Sequence, residues 1–335
     1  MPQLWAFRLR YRPAVRWITT SLIILAGATV GAQDFGPIPT RNHRALSLPF
    51  LRFEPRPNLL GSGERLWEAA WTSANDFRFL SEGSRSVAED YEVQRLAILY
   101  RQGLKNGLEW SFELPWMSRG GGFQDPIIDW WHANVLHWSD PQRDSTRFGR
   151  SVVQVPGSSF NGSADGIGDL SMYLAKPLAK GVVGSVGLKL PTGNAENLLG
   201  SGAFDVGAYV QAQVPIARKL RLHAQLGLVA QGRATELDDS RALVHQEGFA
   251  LVWQPNSRDA WIAQWQGEAS ATETGVSGSD ATHRLITIGY KRKLSAKQQL
   301  DLFFSEDRDV FNGNFPEGAN VGPDFTIGIR FGLKF

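Results

Sequence analysis

The last segment of the chain, residues 324–335, alternates strictly between apolar side chains and polar side chains or glycines. Its two sets of residues are Phe325, Ile327, Ile329, Phe331, Leu333 and Phe335, and Thr326, Gly328, Arg330, Gly332 and Lys334. Because successive side chains of a β-strand point to opposite sides of a sheet, one face of this segment is apolar and the other polar. Such a strand is typical of a transmembrane β-barrel, where apolar side chains face lipid and polar ones face the lumen.

Alternation with the same period recurs in earlier segments, many of which have the length of about 10 to 14 residues that a tilted strand needs to cross a bilayer. Short turns and long connections separate the segments alternately, as in outer-membrane barrels. We therefore predict an all-β, antiparallel transmembrane barrel of about twelve strands (10–14) over residues 64–335, with both barrel ends in the periplasm. A soluble β-sandwich, the alternative, would use strands of about five or six residues. The earlier segments are 64–73, 90–101, 106–117, 167–177, 182–192, 203–215, 219–232, 243–254, 259–272, 283–294 and 297–306.

The N-terminus predicts secretion. Residues 1–32 carry four arginines and no acid, then an apolar run over 18–30 that is too short to cross a bilayer as a helix, then small residues up to Ala32. We expect a cleavable signal peptide over 1–32 and a location in the Gram-negative outer membrane; an uncleaved anchor is the alternative. Cleavage would leave 335 − 32 = 303 residues and change the net charge from +2 to +2 − 4 = −2. Nucleic acid is not an expected partner, because no basic patch remains.

Two segments lie outside the simple barrel pattern. Residues 33–63 contain five prolines, which argue against a regular central strand, and we expect a periplasmic lead-in, an extra strand or a plug. The connection 118–166 is long enough to require structure of its own. Within it, Asp125-Pro126 predicts a helix start, and Ile128, Trp131 and Val135 recur at helical spacing. We expect a short extracellular helix over or inside the barrel mouth, acting as a gate through Trp130, Trp131, His132, His137 and Trp138.

Several short motifs resemble those of a known group of proteins. They are Gly36–Asn42 (GPIPTRN), Gly168–Leu170 (GDL), Lys189–Gly193 (KLPTG), Gly200–Gly202 (GSG), Phe304–Asp307 (FSED) and Pro323–Phe325 (PDF). Together they are similar to a proteobacterial family of outer-membrane β-barrel proteins of unknown function. Three of them, GDL, LPTG and GSG, also resemble barrels found with aromatic-degradation pathways and labelled as transporters. That resemblance implies uptake of small molecules.

The predicted lumen carries charges of both signs and several glutamines. The candidate lining and binding residues are Arg95, Glu109, Glu113, Lys189, Asp205, Arg221, His223, Glu268 and Arg330. Such side chains can line a water-filled path or pair off into a packed polar core, and the sequence leaves both open. The chain has no Gly-x-Ser-x-Gly motif, and the spacings of its histidines and acids do not favour a metal site.

We therefore expect no enzyme activity, no metal and no cofactor. The favoured function is a narrow channel or transporter for small solutes, apolar or aromatic ones among them. The alternatives are a non-conducting structural or adhesion barrel and, least favoured, an outer-membrane hydrolase. The expected partners are outer-membrane lipid, an unknown small solute and the barrel-assembly machinery, which would read the C-terminal strand ending in Phe335.

Overall fold

The computed structural model describes residues 35–137, 143, 146–307 and 322–335. The predicted signal peptide and Trp138 lie outside these residues. The strands in chain order are β1 (Arg65–Glu82), β2 (Arg85–Gly103), β3 (Glu109–Gly120), β4 (Val152–Val155), β5 (Ser158–Asn161), β6 (Ala164–Ile167), β7 (Leu170–Ala179), β8 (Val182–Leu190), β9 (Asp205–Ala217), β10 (Leu220–Gln231), β11 (Leu243–Trp253), β12 (Asp259–Glu268), β13 (His283–Lys293), β14 (Gln298–Asp307) and β15 (Phe325–Lys334).

Twelve of these strands form a closed antiparallel ring. Each of β1, β2, β3 and β7 to β15 pairs with the next, and β15 returns to β1 in a register that runs from Leu66↔Lys334 to Asn75↔Phe325. The ring confirms the predicted barrel of about twelve strands. It also leaves none of its member strands as an unpaired sheet edge.

Three differences from the predicted strands lie at one end of the barrel. β1 and β2 continue through the predicted connection 74–89 to a two-residue turn. The short strands β4 and β5 extend the sheet beside β2, and β6 pairs with the last residues of β3. Alternation does not reveal these strands, because many of their side chains on both faces are polar. At the ends of β1 and β2, polar residues such as Asn75 and Arg78 are buried by other parts of the chain.

Short turns join the ring strands at one end, here called the turn end. At the other end, the loop end, the connections are longer, except for the two-residue turn between β1 and β2. The outward surface between the two ends is largely apolar, with exposed side chains such as Leu226, Val206 and Ile288. Near the turn end, Trp67 contacts Tyr100 and Trp261 contacts Tyr290 on this surface. These aromatic pairs have the placement of an interfacial girdle.

The helices are short. Helix α1 (Asp125–Trp131) continues as a π-helical turn over His132–Leu136, α2 spans Ser277–Asp280, and a 3₁₀ turn spans Lys105–Gly107. In the part of the chain that the structure describes, no helix is both long enough and apolar enough to cross a membrane.

The interior of the barrel is occupied by residues 35–60, here called the N-terminal segment. Nearly all of its residues up to Pro55 are buried, although it contains no strand or helix. Phe35 lies near the turn end, below the ammonium group of Lys293. The chain rises to a turn over Arg44–Leu48 near the loop end, where Arg44 contacts Ser279 of α2, and then descends to β1. The segment therefore crosses the lumen twice.

Candidate functional site

The candidate site is the lumen wall together with the N-terminal segment. The segment holds its place largely through wall side chains that accept hydrogen bonds from its backbone N–H groups. The donor residues are Ile38, Leu51, Phe53, Arg56 and Leu60, and the acceptors are Gln264, Asp205, Gln246, Gln211 and Glu109, at 2.6 to 3.0 Å. A buried backbone N–H group needs a hydrogen-bond acceptor. The side chains of the wall provide these acceptors, which the backbone of a neighbouring strand would provide in a sheet.

The composition of the segment suits this position. Proline has no N–H group, so each of the five prolines removes one donor that the wall would have to satisfy. Glycines on the wall give the segment room. A Cβ added at Gly289 would touch Ile38, and one added at Gly207 would lie 2.7 Å from the ring of Phe53. Phe53 also stacks on Tyr209, with ring centroids 5.1 Å apart.

A charged cluster lies where the two limbs of the segment pass each other. Four arginines surround two glutamates. The ion pairs within the segment or from segment to wall are Arg41–Glu54 3.2 Å, Arg41–Glu113 3.2 Å, Arg56–Glu54 2.8 Å, Arg56–Glu113 3.4 Å and Arg330–Glu54 3.0 Å, and Arg95–Glu113 joins two strands of the wall. Burial alone would raise the pKa of Glu54, but Arg56, Arg330 and Arg41 hold it well below its usual range. The arginines outnumber the glutamates, so the cluster carries excess positive charge.

The remaining candidate residues form smaller groups around the same segment. Glu109 binds Arg101 at 2.8 Å, and Glu268 binds Arg52 of the segment at 2.7 Å. His223 is buried, and Arg221 is half-buried in register with the buried Val252. The structure therefore places all nine candidates on the inward side of the wall, and several of them contact the segment.

The motifs GDL, KLPTG and GSG meet at one place. The carboxylate of Asp169 accepts hydrogen bonds from the backbone N–H groups of Gly193 and Ser201 and binds Lys189 at 2.6 Å. Lys189 lies 3.5 Å from Asp205, which in turn accepts the bond from Leu51 of the segment. The motifs therefore tie the connection 191–204 to the N-terminal segment.

Sequence reasoning missed the segment's own charges and Gln246. The available signals were a set of charged residues among the prolines of 41–56 and glutamines at inward positions of the strands. Neither signal states which wall residue meets which part of the segment. Those contacts join residues far apart in the chain, such as Ile38 and Gln264.

The predicted gate helix lies elsewhere than expected. α1 packs on the outward surface of β1 and β2, where Asp125 accepts a hydrogen bond from Asn75 at 3.0 Å. Trp130 and Trp131 are 57% and 37% exposed, and His137 is exposed. His132 is half-buried, and the side chains buried on α1 are Asp125 and Ile128. These gate residues do not line the lumen, because polar groups on the outside of the wall bind the start of the helix.

The loop end of the lumen is closed by apolar side chains instead. The cluster, here called the apolar seal, combines the turn of the segment with β2, β3, β4, β5, β6 and three connections. Its residues are Ala45, Leu46, Leu48, Phe50, Tyr91, Val93, Met117, Val153, Phe160, Ala164, Leu198, Leu199, Ala234, Leu237 and Ala271.

The turn end contains a cavity of about 350 Å³ between the segment and the wall. Its basic lining residues are Arg56, Arg101, Lys291, Lys293, Lys297, Arg330 and Lys334, and its acidic ones are Glu64, Glu68 and Asp301. The cavity, like the charged cluster, therefore has an excess of basic side chains. It contains no aromatic lining residue among those described.

Solved structures with a similar fold are outer-membrane barrels. An outer membrane channel from Pseudomonas putida F1 is 13% identical over 85% of this chain and 100% of its own, with a TM-score of 0.55. The Ralstonia pickettii toluene transporter is 8% identical over 82% of this chain and 89% of its own, with a TM-score of 0.39. No curated protein matches the chain in sequence.

A family match covers nearly the whole chain. Residues 20–332 match the family described as "Protein of unknown function (DUF3187)". This range includes the N-terminal segment, every barrel strand except the last residues of β15, and the connection that carries α1. The chain therefore belongs to the DUF3187 family.

Proposed function

We propose that the protein is an outer-membrane channel for small polar solutes, preferentially anions, and that its N-terminal segment closes the lumen in the state described. One observation carries the proposal. The segment that blocks the lumen is held by side-chain hydrogen bonds, ion pairs and apolar packing and not by strand pairing. A segment held in this way can leave the lumen without breaking the hydrogen bonds between the barrel strands.

The outer-membrane location rests on the outward surface. Long apolar side chains are exposed around the ring, including Leu226 at 60% and Ile288 at 59%. A surface of this kind is costly in water and suits the hydrocarbon region of a bilayer. The closed ring satisfies the backbone hydrogen bonds that lipid cannot.

The solute class rests on charge. The turn-end cavity and the charged cluster both contain more basic than acidic side chains, so a small anion entering the lumen would be stabilised. The absence of an aromatic lining residue from the described cavity favours polar solutes over the aromatic ones expected at first. Anion preference is therefore the sharper proposal.

A second function, a permanently closed structural or adhesion barrel, is favoured by the apolar seal. Phe50 and Val153 in that seal are fully buried, and apolar packing of this kind has no water path through it. The two functions differ in one property, because only the first requires the segment to move.

A reversible lock on the segment tests that property. The natural chain has no cysteine, so a single engineered pair can be oxidised without competition. Ile38→Cys with Gly289→Cys places two thiols at neighbouring positions of segment and wall, because a Cβ at Gly289 would touch Ile38. The refolded variant is inserted into a planar bilayer, and single-channel current is recorded before and after a reductant is added. Ile38→Cys alone, which keeps the glycine and therefore introduces no clash, is the matched control.

We expect openings only after reduction, with the control unaffected by the reductant. Equal conductance in the oxidised and reduced states would show that the segment is not the closing element. No conductance in either state, from protein that shows barrel circular dichroism, would favour the closed structural barrel.

A further inference from the structure

The outward surface of the barrel contains a buried polar patch that contradicts its apolar character. Ser73 and Asn75 of β1 and Asp90 and Glu92 of β2 point outward, since their strand neighbours Thr72 and Ala74 face the segment and the interior. Charged side chains on a lipid-facing strand are destabilising. All four patch residues are nonetheless buried, each with 6% exposure or less.

The connection that carries α1 covers this patch. Glu92 accepts a hydrogen bond from the backbone N–H of Phe123 at 2.8 Å, and Asn75 donates one to Asp125. Arg143 then binds Asp125 at 2.7 Å and Asn75 at 3.2 Å. The polar side of α1 is therefore fastened to the outside of the wall.

The opposite side of α1 is apolar and uncovered in the structure. Ile127 is 50% exposed, Trp130 57% and Val135 43%, and Phe123 before the helix is 51% exposed. The exposed apolar residues form one stripe, because they recur at helical spacing: Ile127, then Trp130 or Trp131, then Val135. Apart from Ile128, which is buried, the described large apolar side chains of the helix and of the turn after it are exposed, whereas the helix of a water-soluble protein would bury most of them.

We propose that α1 is an interfacial anchor, and that its exposed stripe lies in the lipid of the outer leaflet at the loop end of the barrel. The inference rests on the proposed membrane location. The stripe is continuous with the outward surface of the barrel: Ser73 and Asn75 below the helix pair with Ile327 and Phe325 of β15, whose side chains belong to that surface. Tryptophan prefers the boundary between hydrocarbon and headgroups, and amphipathic helices lie in that plane.

The flanking charge agrees with a lipid surface. Arg147 is exposed beside Phe148, which is 47% exposed, and both lie between Arg143 and Arg150, two residues that contact the patch. A cation next to an apolar side chain suits an anionic lipid headgroup above its acyl chains. We therefore assign lipid, and not a second protein, as the occupant of the stripe.

The experiment places one fluorophore at a time on the cysteine-free chain. Ile127→Cys labels the stripe, Leu226→Cys labels the barrel's outward surface, and Asp239→Cys labels an exposed loop position. Each labelled protein is reconstituted into phosphatidylglycerol-containing vesicles. Quenching is measured with nitroxide-bearing lipids and, separately, with aqueous iodide. Val135→Cys repeats the test on the same stripe if the Ile127 variant does not fold.

We expect nitroxide lipid to cause a loss of fluorescence at positions 127 and 226 that is several-fold larger than the loss at 239, and iodide to show the reverse order. Iodide quenching at 127 with lipid quenching at 226 would overturn the anchor and leave the membrane barrel intact. Protection of 127 from both quenchers would overturn it in favour of a protein partner. Failure of lipid quenching at 226 would overturn the membrane location itself, and the anchor with it.

Discussion

The two ends of the lumen are closed in different ways. At the loop end, the turn of the N-terminal segment packs into the apolar seal, where Phe50 and Val153 are fully buried. At the turn end, the same segment borders a cavity lined by basic and acidic side chains. Apolar closure depends on buried area and excludes water, whereas closure by charges is directional and admits water and ions. In the proposed channel, this difference would place the barrier at the loop end and solute selection at the turn end.

The largest expected effect on stability comes from removing a large side chain from the apolar seal. Phe50→Ala should destabilise the protein by about 3–5 kcal/mol, because Phe50 is completely buried and its removal leaves unfilled space. Denaturant unfolding of the refolded protein measures the loss. Leu59→Ala, on the same segment but half-buried at the turn end, is the matched control and should cost much less. Similar losses at both positions would contradict the proposed division between the ends.

A smaller effect is expected from pH near the loop end. Burial, followed by the charges of Arg95 and Arg41, lowers the pKa of His43 to about 3. The pKa of His43 is lower in the folded state than in the unfolded state, where it is about 6.5. The neutral imidazole therefore contributes stability at pH values above about 6.5, and this contribution is lost as the pH falls from about 6.5 toward 3. The loss should approach about 1.4 kcal/mol per pH unit.

Hydrogen exchange of the segment's amides between pH 7.5 and 5 measures this dependence. His43 contacts the hydroxyl of Thr72 at 2.9 Å, and glutamine can replace the imidazole as a neutral hydrogen-bonding group. His43→Gln should therefore make the decline above pH 5 less steep, while the other two buried histidines, His223 and His283, keep a part of it. A decline of the same size in the variant would show that another group titrates.

The smallest effect on stability is expected at the turn end. Lys297→Gln should change the free energy of unfolding by no more than about 0.5 kcal/mol, because Lys297 is exposed. It should nonetheless lower the anion preference of the reduced, open lock variant, since Lys297 lines the cavity. The reversal potential in a potassium chloride gradient measures that preference. Lys180→Gln, also exposed in a turn at this end but outside the cavity lining, should leave it unchanged; an equal shift would mean that general surface charge sets selectivity.

The barrel strands could be predicted well because the signal is local. The alternation in 203–215 and 219–232 falls on β9 and β10 within a few residues of their bounds. β1 was predicted too short, because Asn75 points outward yet is polar. Its burial depends on α1 and Arg143, which no pattern within that strand reveals.

By itself, the sequence determined the ring of strands and which side chains face inward, since period-two alternation is a property of neighbouring residues. Only the tertiary structure decided what fills the lumen and on which side of the wall α1 lies. Both depend on contacts between distant residues, such as Phe53 with Gln246 and Asn75 with Asp125. A polar inward face is compatible with a water-filled lumen or with a bound segment. An amphipathic helix can pack through its polar side or its apolar side. Which arrangement forms depends on residues that are close in the folded protein and distant in the sequence.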